Sequence, residues 1–150
     1  MPSITVQITG TPPENMMARI PQAIDAAMDA MAAKFMEIAV GNFGLTGAHR
    51  PSDWPPLSPN YQRRIKYFGP PLLILSGDLL ANIKLLEKTK NSFTVGNLVH
   101  YASTQQRGGG PVPARPFFPV IESGEQFQLT PYAQQEMEGA ALAAMQNVFG

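Results

Sequence analysis

The first regular pattern along the chain is an alternation of apolar and polar residues. Ile4, Val6 and Ile8 are separated by threonine and glutamine, and the pattern stops at Gly10 and the two prolines that follow shortly after it. A period of two is typical of a strand that is buried on one face only. The sequence therefore predicts a half-buried strand close to the N-terminus.

A second pattern, with a period of three to four residues, extends over residues 16–43 and is typical of one face of an α-helix. Because proline is tolerated in the first turn of a helix but not in its interior, we expect the regular helix to begin near Pro21. Asn42 and Gly44 are residue types that commonly end a helix. We interpret the methionines of this helix as core residues rather than as an adaptable binding groove. The apolar stripe consists of Met17, Ile20, Ile24, Met28, Met31, Phe35 and Ile38.

Shorter elements are predicted in the middle of the chain. Ser58 and Ser76 each precede a short run with helical spacing, and serine is a preferred cap of a helix N-terminus. Residues 83–96 contain two strand-like runs with a turn near Lys90, which predicts a β-hairpin. We expect a further short helix or irregular turn over residues 99–106.

The last predicted element is an alanine-rich helix over residues 131–149, with Thr130 as its N-cap and Pro131 in its first turn. The two amphipathic helices could pack on each other, on a sheet or across a subunit boundary. The combined pattern predicts a single α+β domain over residues 1–150. In this domain the long N-terminal helix packs on a small, mostly antiparallel sheet, with extended loops and an arm around it.

Residues 108–124 contain four glycines and four prolines and cannot form a helix. The segment is consistent with a flexible linker, with a semi-rigid arm that docks on a partner, or with a loop over an active site. In a docking arm, Phe117 and Phe118 would anchor on a neighbouring molecule, and Arg115 would form a charged hydrogen bond beside them. In the alternative, the segment folds back and both rings fill the core of their own chain.

The low content of charged residues predicts a tendency to self-associate. Charged residues make up 15% of the 150 residues, well below the usual quarter or so. Nine basic residues and three acidic ones lie between residues 50 and 115, while the flanks are acidic. This segregation favours head-to-tail contact between copies over nucleic-acid binding, because no basic run is dense enough to follow a phosphate backbone. No apolar run is long enough to span a membrane, so we expect no membrane partner.

Candidate chemistry is sparse. The chain has no cysteine and two histidines, His49 and His100, neither at a metal-ligand spacing from a second ligand. Asp53 lies close to His49, but no nucleophile accompanies the pair. Glu136 and Glu138 point to different faces of the last helix and do not form a catalytic carboxylate pair. The sequence therefore predicts no metal, no cofactor and no enzymatic activity.

Four short motifs occur in a recognisable order, and in that order they resemble the phage virion morphogenesis family, the tail-completion proteins of Mu-like and P2-like tailed phages. The resemblance covers about residues 50–120. The motif residues are Trp54 with Pro56, Leu57 and Ser58; Leu75, Ser76 and Gly77 with Leu79; Val95 and Gly96 with Tyr101, Ala102, Gln105 and Gln106; and Ala114, Arg115, Pro116 and Phe117.

The resemblance implies a non-enzymatic structural protein of the virion, assembled in the host cytoplasm, that forms a homo-oligomeric ring at the head–tail junction. Its partners would be further copies of itself, the tail tube protein and the head–tail connector proteins. DNA would pass nearby without sequence-specific binding. Two alternatives stay open. The first is a head-side connector or minor capsid component. The second is a virion-associated hydrolase, or a DNA-binding module whose binding depends on Arg63, Arg64 and Lys66.

These considerations define a predicted interface set between copies or with partners. It places the arm residues at the contact, together with two aromatic and two basic residues. Packing within the chain would explain the two aromatic residues as well. The set consists of Arg115, Phe117, Phe118, Trp54, Tyr101, Arg63 and Arg64.

Overall fold

The computed structural model describes residues 2–7, 18–44, 47–56, 58–59, 63 and 77–149. Within these residues, helices and antiparallel strands form the α+β arrangement that the sequence predicts, with a long helix packed on a small sheet. The elements in chain order are β1 (Ser3–Gln7), α1 (Ile20–Gly41), α2 (Asp78–Ala81), β2 (Ile83–Lys88), β3 (Ser92–Asn97), α3 (Ala102–Arg107), β4 (Val120–Ser123), β5 (Gln126–Leu129) and α4 (Pro131–Phe149).

The three-stranded sheet has the order β1-β3-β2 and is antiparallel throughout. Opposite Ile4 lies Val95, and opposite Val6 lies Phe93, so the alternating apolar residues of β1 and β3 share the face that meets α1. The other face is polar, and the hydroxyl oxygens of Thr5 and Thr94 are 2.7 Å apart across it. The predicted N-terminal strand and the predicted hairpin are therefore confirmed as β1 and β2–β3.

Helix α1 begins at Ile20 with Pro21 in its first turn and ends at the C-cap Asn42, as the sequence predicts. Its apolar stripe is buried against the sheet on one part of its surface and against α4 on another. The methionines Met28 and Met31 are core residues. The buried residues of the helix are Ala23, Ala27, Met28, Met31, Ala32, Phe35, Ile38 and Ala39.

Helix α4 is capped as expected, because the backbone N–H of Ala133 donates to Thr130 Oγ1 at 3.2 Å. The far end of α4 lies beside the start of α1, where the Arg19 guanidinium donates to the carbonyl of Phe149 at 3.4 Å. The two helices therefore pack on each other in antiparallel orientation. Of the three arrangements open at the level of sequence, this is the one that the structure contains.

Two features of the structure differ from the elements that the sequence predicts. The residue that caps α2 is Gly77, in a left-handed conformation with φ of 76°, rather than a serine; Ser76 lies outside the described residues, as does most of the helix expected after Ser58. In addition, β4 and β5 form a second hairpin, whose turn is made by Gly124 with φ of 63°. Neither of these two strands is among the elements that the sequence pattern predicts.

Candidate functional site

The proline-rich segment runs through the core of its own chain. Phe117 and Phe118 are both 0% exposed. The Phe118 ring stacks on Phe35 of α1 with 5.6 Å between ring centroids, and the Phe117 ring lies 5.5 Å from that of Phe43. Each buried phenylalanine contributes a few kcal/mol of hydrophobic stabilisation, so the segment is part of what holds the fold together.

An extended segment inside a core must find partners for its backbone polar groups. Pro116 and Pro119 have no N–H and cannot join a regular strand ladder. Side chains supply the partners instead. The side-chain oxygen of Gln106 on α3 accepts hydrogen bonds from the backbone N–H groups of Phe117 at 3.0 Å and Phe118 at 2.9 Å, and its Nε2 donates to the Phe118 carbonyl at 3.4 Å.

Two further side chains donate to carbonyls of the same segment. Asn42, the C-cap of α1, donates from Nδ2 to the Phe117 carbonyl at 2.8 Å. Trp54 donates from its indole Nε1 to the Pro116 carbonyl at 2.8 Å. All of these groups are buried. Each hydrogen bond therefore gives a partner to a polar group that is shielded from water. We call this arrangement, formed by Asn42, Trp54 and Gln106 around residues 116–118, the backbone latch.

Two arginines secure the loop that carries Trp54. Arg115 is 4% exposed and donates to the carbonyls of Pro55 at 2.7 Å and Pro56 at 3.0 Å. Arg50 lies over the Trp54 ring, 3.7 Å from its centroid. It also donates to the Asn42 carbonyl at 2.7 Å and the Gly44 carbonyl at 2.8 Å at the C-terminal end of α1, where a cation is favoured. Burial lowers the pKa of Arg50, and nearby Asp53 opposes that shift.

The predicted interface set is corrected by these contacts. Phe117, Phe118 and Arg115 do not project toward a neighbour, because the backbone latch and the surrounding rings hold them inside their own chain. Trp54 is 8% exposed, and Tyr101 is partly buried against the same core.

The outcome for the two basic residues of the set is different. Arg63 is exposed and donates to the carbonyl of Pro59 at 3.3 Å. Arg64 lies outside the described residues. The structure therefore brings Arg115 together with the aromatic members of the set as packing residues.

The latch explains why three of the motifs occur in one chain. Trp54 lies 62 residues before Pro116 and Gln106 lies 11 residues before Phe117, and both side chains bind this one stretch of backbone. The sequence patterns did not indicate Asn42 or Arg50 as members of this cluster, since a helix terminator and a loop arginine have no distinguishing signal of their own. Gln106 was part of a motif, but the pattern gave no role to its side chain.

The two histidines each contact a tyrosine ring. The His49 ring stacks on Tyr132 with 3.5 Å between centroids and 3° between planes. His100 packs edge-on against Tyr101, with 5.1 Å between centroids. Within the described residues, no group of three or more His, Asp or Glu side chains is arranged to hold a metal ion. Both histidines are exposed, and each makes one aromatic ring contact.

Part of the charge segregation is balanced inside the chain. Lys88 on β2 donates to Asp25 Oδ1 at 2.7 Å and Asp29 Oδ1 at 2.5 Å, both on α1. These hydrogen bonds raise the pKa of Lys88. Arg107 on α3 pairs with Glu122 on β4 at 2.5 Å. These cations are therefore not free to bind an acidic surface of another copy.

A shallow cleft of about 220 Å³ lies between the β4–β5 hairpin, α3 and the proline-rich segment. Pro116, Ile121 and Phe127 form apolar parts of its lining, and the Arg107–Glu122 pair lies beside them. The volume is below the roughly 300 Å³ at which small-molecule sites usually begin. Ser52 and Glu122 both line the cleft, and the Glu122 carboxylate is paired with Arg107.

Comparison with protein-family models, with curated proteins and with solved structures finds no match to this chain. In the part of the chain that the structure describes, no helix combines the length and the apolar character needed to cross a bilayer.

Proposed function

We propose that this protein is a non-enzymatic structural component of a tailed-phage virion, assembled in the host cytoplasm, that forms a ring at the head–tail junction. In this role it completes the tail and joins it to the neck. The motif order of the sequence supports the proposal. The observation that carries it is the backbone latch, in which residues of three of the four motifs, Trp54, Gln106 and the pair Pro116–Phe117, are joined by buried hydrogen bonds.

The surface is consistent with an assembly role. Large apolar side chains remain exposed on several elements, among them Leu86 on β2, Phe127 on β5 and Leu142 on α4. Such residues would contribute buried apolar area where a partner covers them. Further copies of the chain, the tail tube protein and the connector proteins are the partners that the proposal requires.

The proposal is tested by measuring the mass of the purified protein by light scattering after size exclusion, followed by electron microscopy of any large species. Closed rings, or rings that form on tail tubes of a Mu-like or P2-like phage lacking their own completion protein, are the expected result. A protein that stays monomeric at every concentration and binds no tail tube contradicts the proposal. Rings that bind purified heads but not tails would instead favour the head-side connector.

A further inference from the structure

Strand β1 forms one edge of the three-stranded sheet, and part of its backbone points outward. The N–H of Asn97 donates to the Pro2 carbonyl at 3.3 Å, so the carbonyl of Pro2 faces β3. This direction alternates from residue to residue along an antiparallel pair. The N–H and C=O groups of Ser3 and Thr5 therefore point away from the sheet, and no described residue is hydrogen-bonded to them.

The two edges of the sheet differ in how open they are to a further strand. Strand β2, at the other edge, has a bulge between Leu85 and Glu87 and also carries Lys84 and Lys88. Bulges and charged side chains hinder the pairing of an edge strand with another chain. Strand β1 has the sequence Ser-Ile-Thr-Val-Gln and an unbroken register against β3. Because β1 contains no charge, no proline and no bulge, its outer side is the unprotected edge.

A second β1 strand complements this edge. In antiparallel pairing about a two-fold axis at Thr5, each Thr5 lies opposite the other, and Ile4 lies opposite Val6 of the second copy. Each outward N–H then meets an outward C=O of the other copy. A charged strand would place like charges close together in such a self-pairing, which is destabilising, whereas β1 carries no charge.

The apolar face of β1 fits the same arrangement. Ile4 and Val6 contact the core but stay partly exposed, and α1 packs over the neighbouring strands β2 and β3. Two-fold pairing places Ile4 and Val6 of both copies in one apolar row across the new boundary. Each copy therefore covers apolar area that the other leaves open.

We propose that the protein forms a two-fold dimer in which β1 of one copy pairs antiparallel with β1 of the other. The two three-stranded sheets then become one continuous sheet. Such a contact closes at two copies, so it is separate from the head-to-tail contact that a ring requires. The inference thus goes beyond the proposed function and does not depend on it.

The chain has no cysteine, so single introduced cysteines can map this contact. Across the two-fold axis the Cα atoms of the two Thr5 residues would be about 5.5 Å apart, as in a hydrogen-bonded pair, and a disulfide spans this distance. Under mild oxidation we expect Thr5→Cys to form a covalent dimer on a non-reducing gel.

Ser3→Cys is the matched control, because Ser3 is also exposed and lies on the same strand. Strand positions are separated by about 3.4 Å per residue, so the two Ser3 residues would lie roughly 14 Å apart along the dimer. A disulfide cannot span this distance. We expect Ser3→Cys to cross-link at the low rate of random collision.

Dimer formation without a cross-link is measured by sedimentation velocity over a concentration series. Thr5→Pro removes an outward N–H, and proline is tolerated in an edge strand at such a position. We expect the dissociation constant of the dimer to rise about tenfold or more, since two intermolecular hydrogen bonds are lost. Thr5→Ala also loses the hydroxyl contact with Thr94 but keeps the N–H, and it should dimerise as the wild type does.

The results separate failure of this inference from failure of the proposed function. If Thr5→Cys cross-links no faster than Ser3→Cys, or if Thr5→Pro dimerises as well as Thr5→Ala, the inference is wrong. Rings that form while Thr5→Cys gives no specific cross-link leave the proposed function standing. Dimers with the expected cross-link that neither form rings nor bind tail tubes support this inference and contradict the proposed function.

Discussion

Replacing Gln106 by leucine tests whether the backbone latch stabilises the fold. The side-chain oxygen of Gln106 is the acceptor for the buried backbone N–H groups of Phe117 and Phe118. Leucine has a similar size but no acceptor, so both N–H groups lose their partner. An unsatisfied buried donor costs about 1–3 kcal/mol, and two of them give about 2–6 kcal/mol. This loss is a large part of the roughly 5–15 kcal/mol by which a domain of this size is stable.

The neighbouring glutamine is a matched control. The side-chain oxygen of Gln105 is buried and has no hydrogen-bond partner among the described residues. Gln105→Leu removes this unsatisfied acceptor, and the backbone carbonyl of residue 105, which accepts from the N–H of Arg115 at 2.7 Å, is retained. We expect the free energy of unfolding to stay unchanged or to increase.

The measurement is urea unfolding followed by the fluorescence of Trp54, the single tryptophan of the chain. Its indole donates to Pro116, within the latched segment, so its emission reports the same region. The two leucine variants should show similar slopes and different midpoints. If Gln106→Leu costs no more than Gln105→Leu, the latch does not stabilise the fold, and the role assigned to Gln106 is refuted.

Three further predictions address other contacts. Phe118→Ala should lower the free energy of unfolding by about 3–5 kcal/mol, because the ring is fully buried; a loss below about 1 kcal/mol in the same urea experiment would place the ring outside the core. Gly47→Ala should destabilise by about 1–2 kcal/mol, because Gly47 has φ of 52° and its Cβ would overlap the Arg50 guanidinium; an unchanged thermal midpoint would show that the loop readjusts. Lys88→Met should cost less than about 1 kcal/mol at neutral pH and low salt, since the pair with the α1 carboxylates is partly exposed. The folded-state pKa of Lys88 is raised above 10.5. The stability that the pair contributes is therefore present below that pH and is lost as the pH rises through the higher folded-state value. If the wild type stays more stable than Lys88→Met above that value, the assignment is contradicted.

Most of the regular elements could be predicted from local patterns. The alternation in β1 and the helical stripe of α1 each report which face of an element is buried. The cap at Thr130 satisfies a backbone group two or three residues away, so a short window of sequence is enough to find it. The packing of α4 on α1 was only one of three arrangements that the sequence allowed, because two amphipathic helices reveal their apolar faces but not their partners.

The second hairpin and the course of the proline-rich segment could not be predicted in the same way. Strand β4, with the sequence Val-Ile-Glu-Ser, lacks the alternation that marks a half-buried strand. Strand β5, Gln-Phe-Gln-Leu, alternates over only four residues, which is a short signal. The burial of Phe117 and Phe118 depends on Asn42 and Trp54, which are 75 and 62 residues away from the groups they bind. A local pattern shows that such a segment is extended, but not what surrounds it.

The long separations in the backbone latch also bear on how the protein is synthesised. Asn42 and Trp54 leave the ribosome well before residues 116–118, the backbone to which they bind. At about 5–20 residues per second, Phe117 and Phe118 are synthesised on the order of several seconds after α1 and the Trp54 loop. Until then, the aromatic side of α1 and this loop lack the rings that cover them. During this interval Phe35 and Phe43 are open to contact with other nascent chains, so slower translation between residues 54 and 118 should increase aggregation of this protein in the cell.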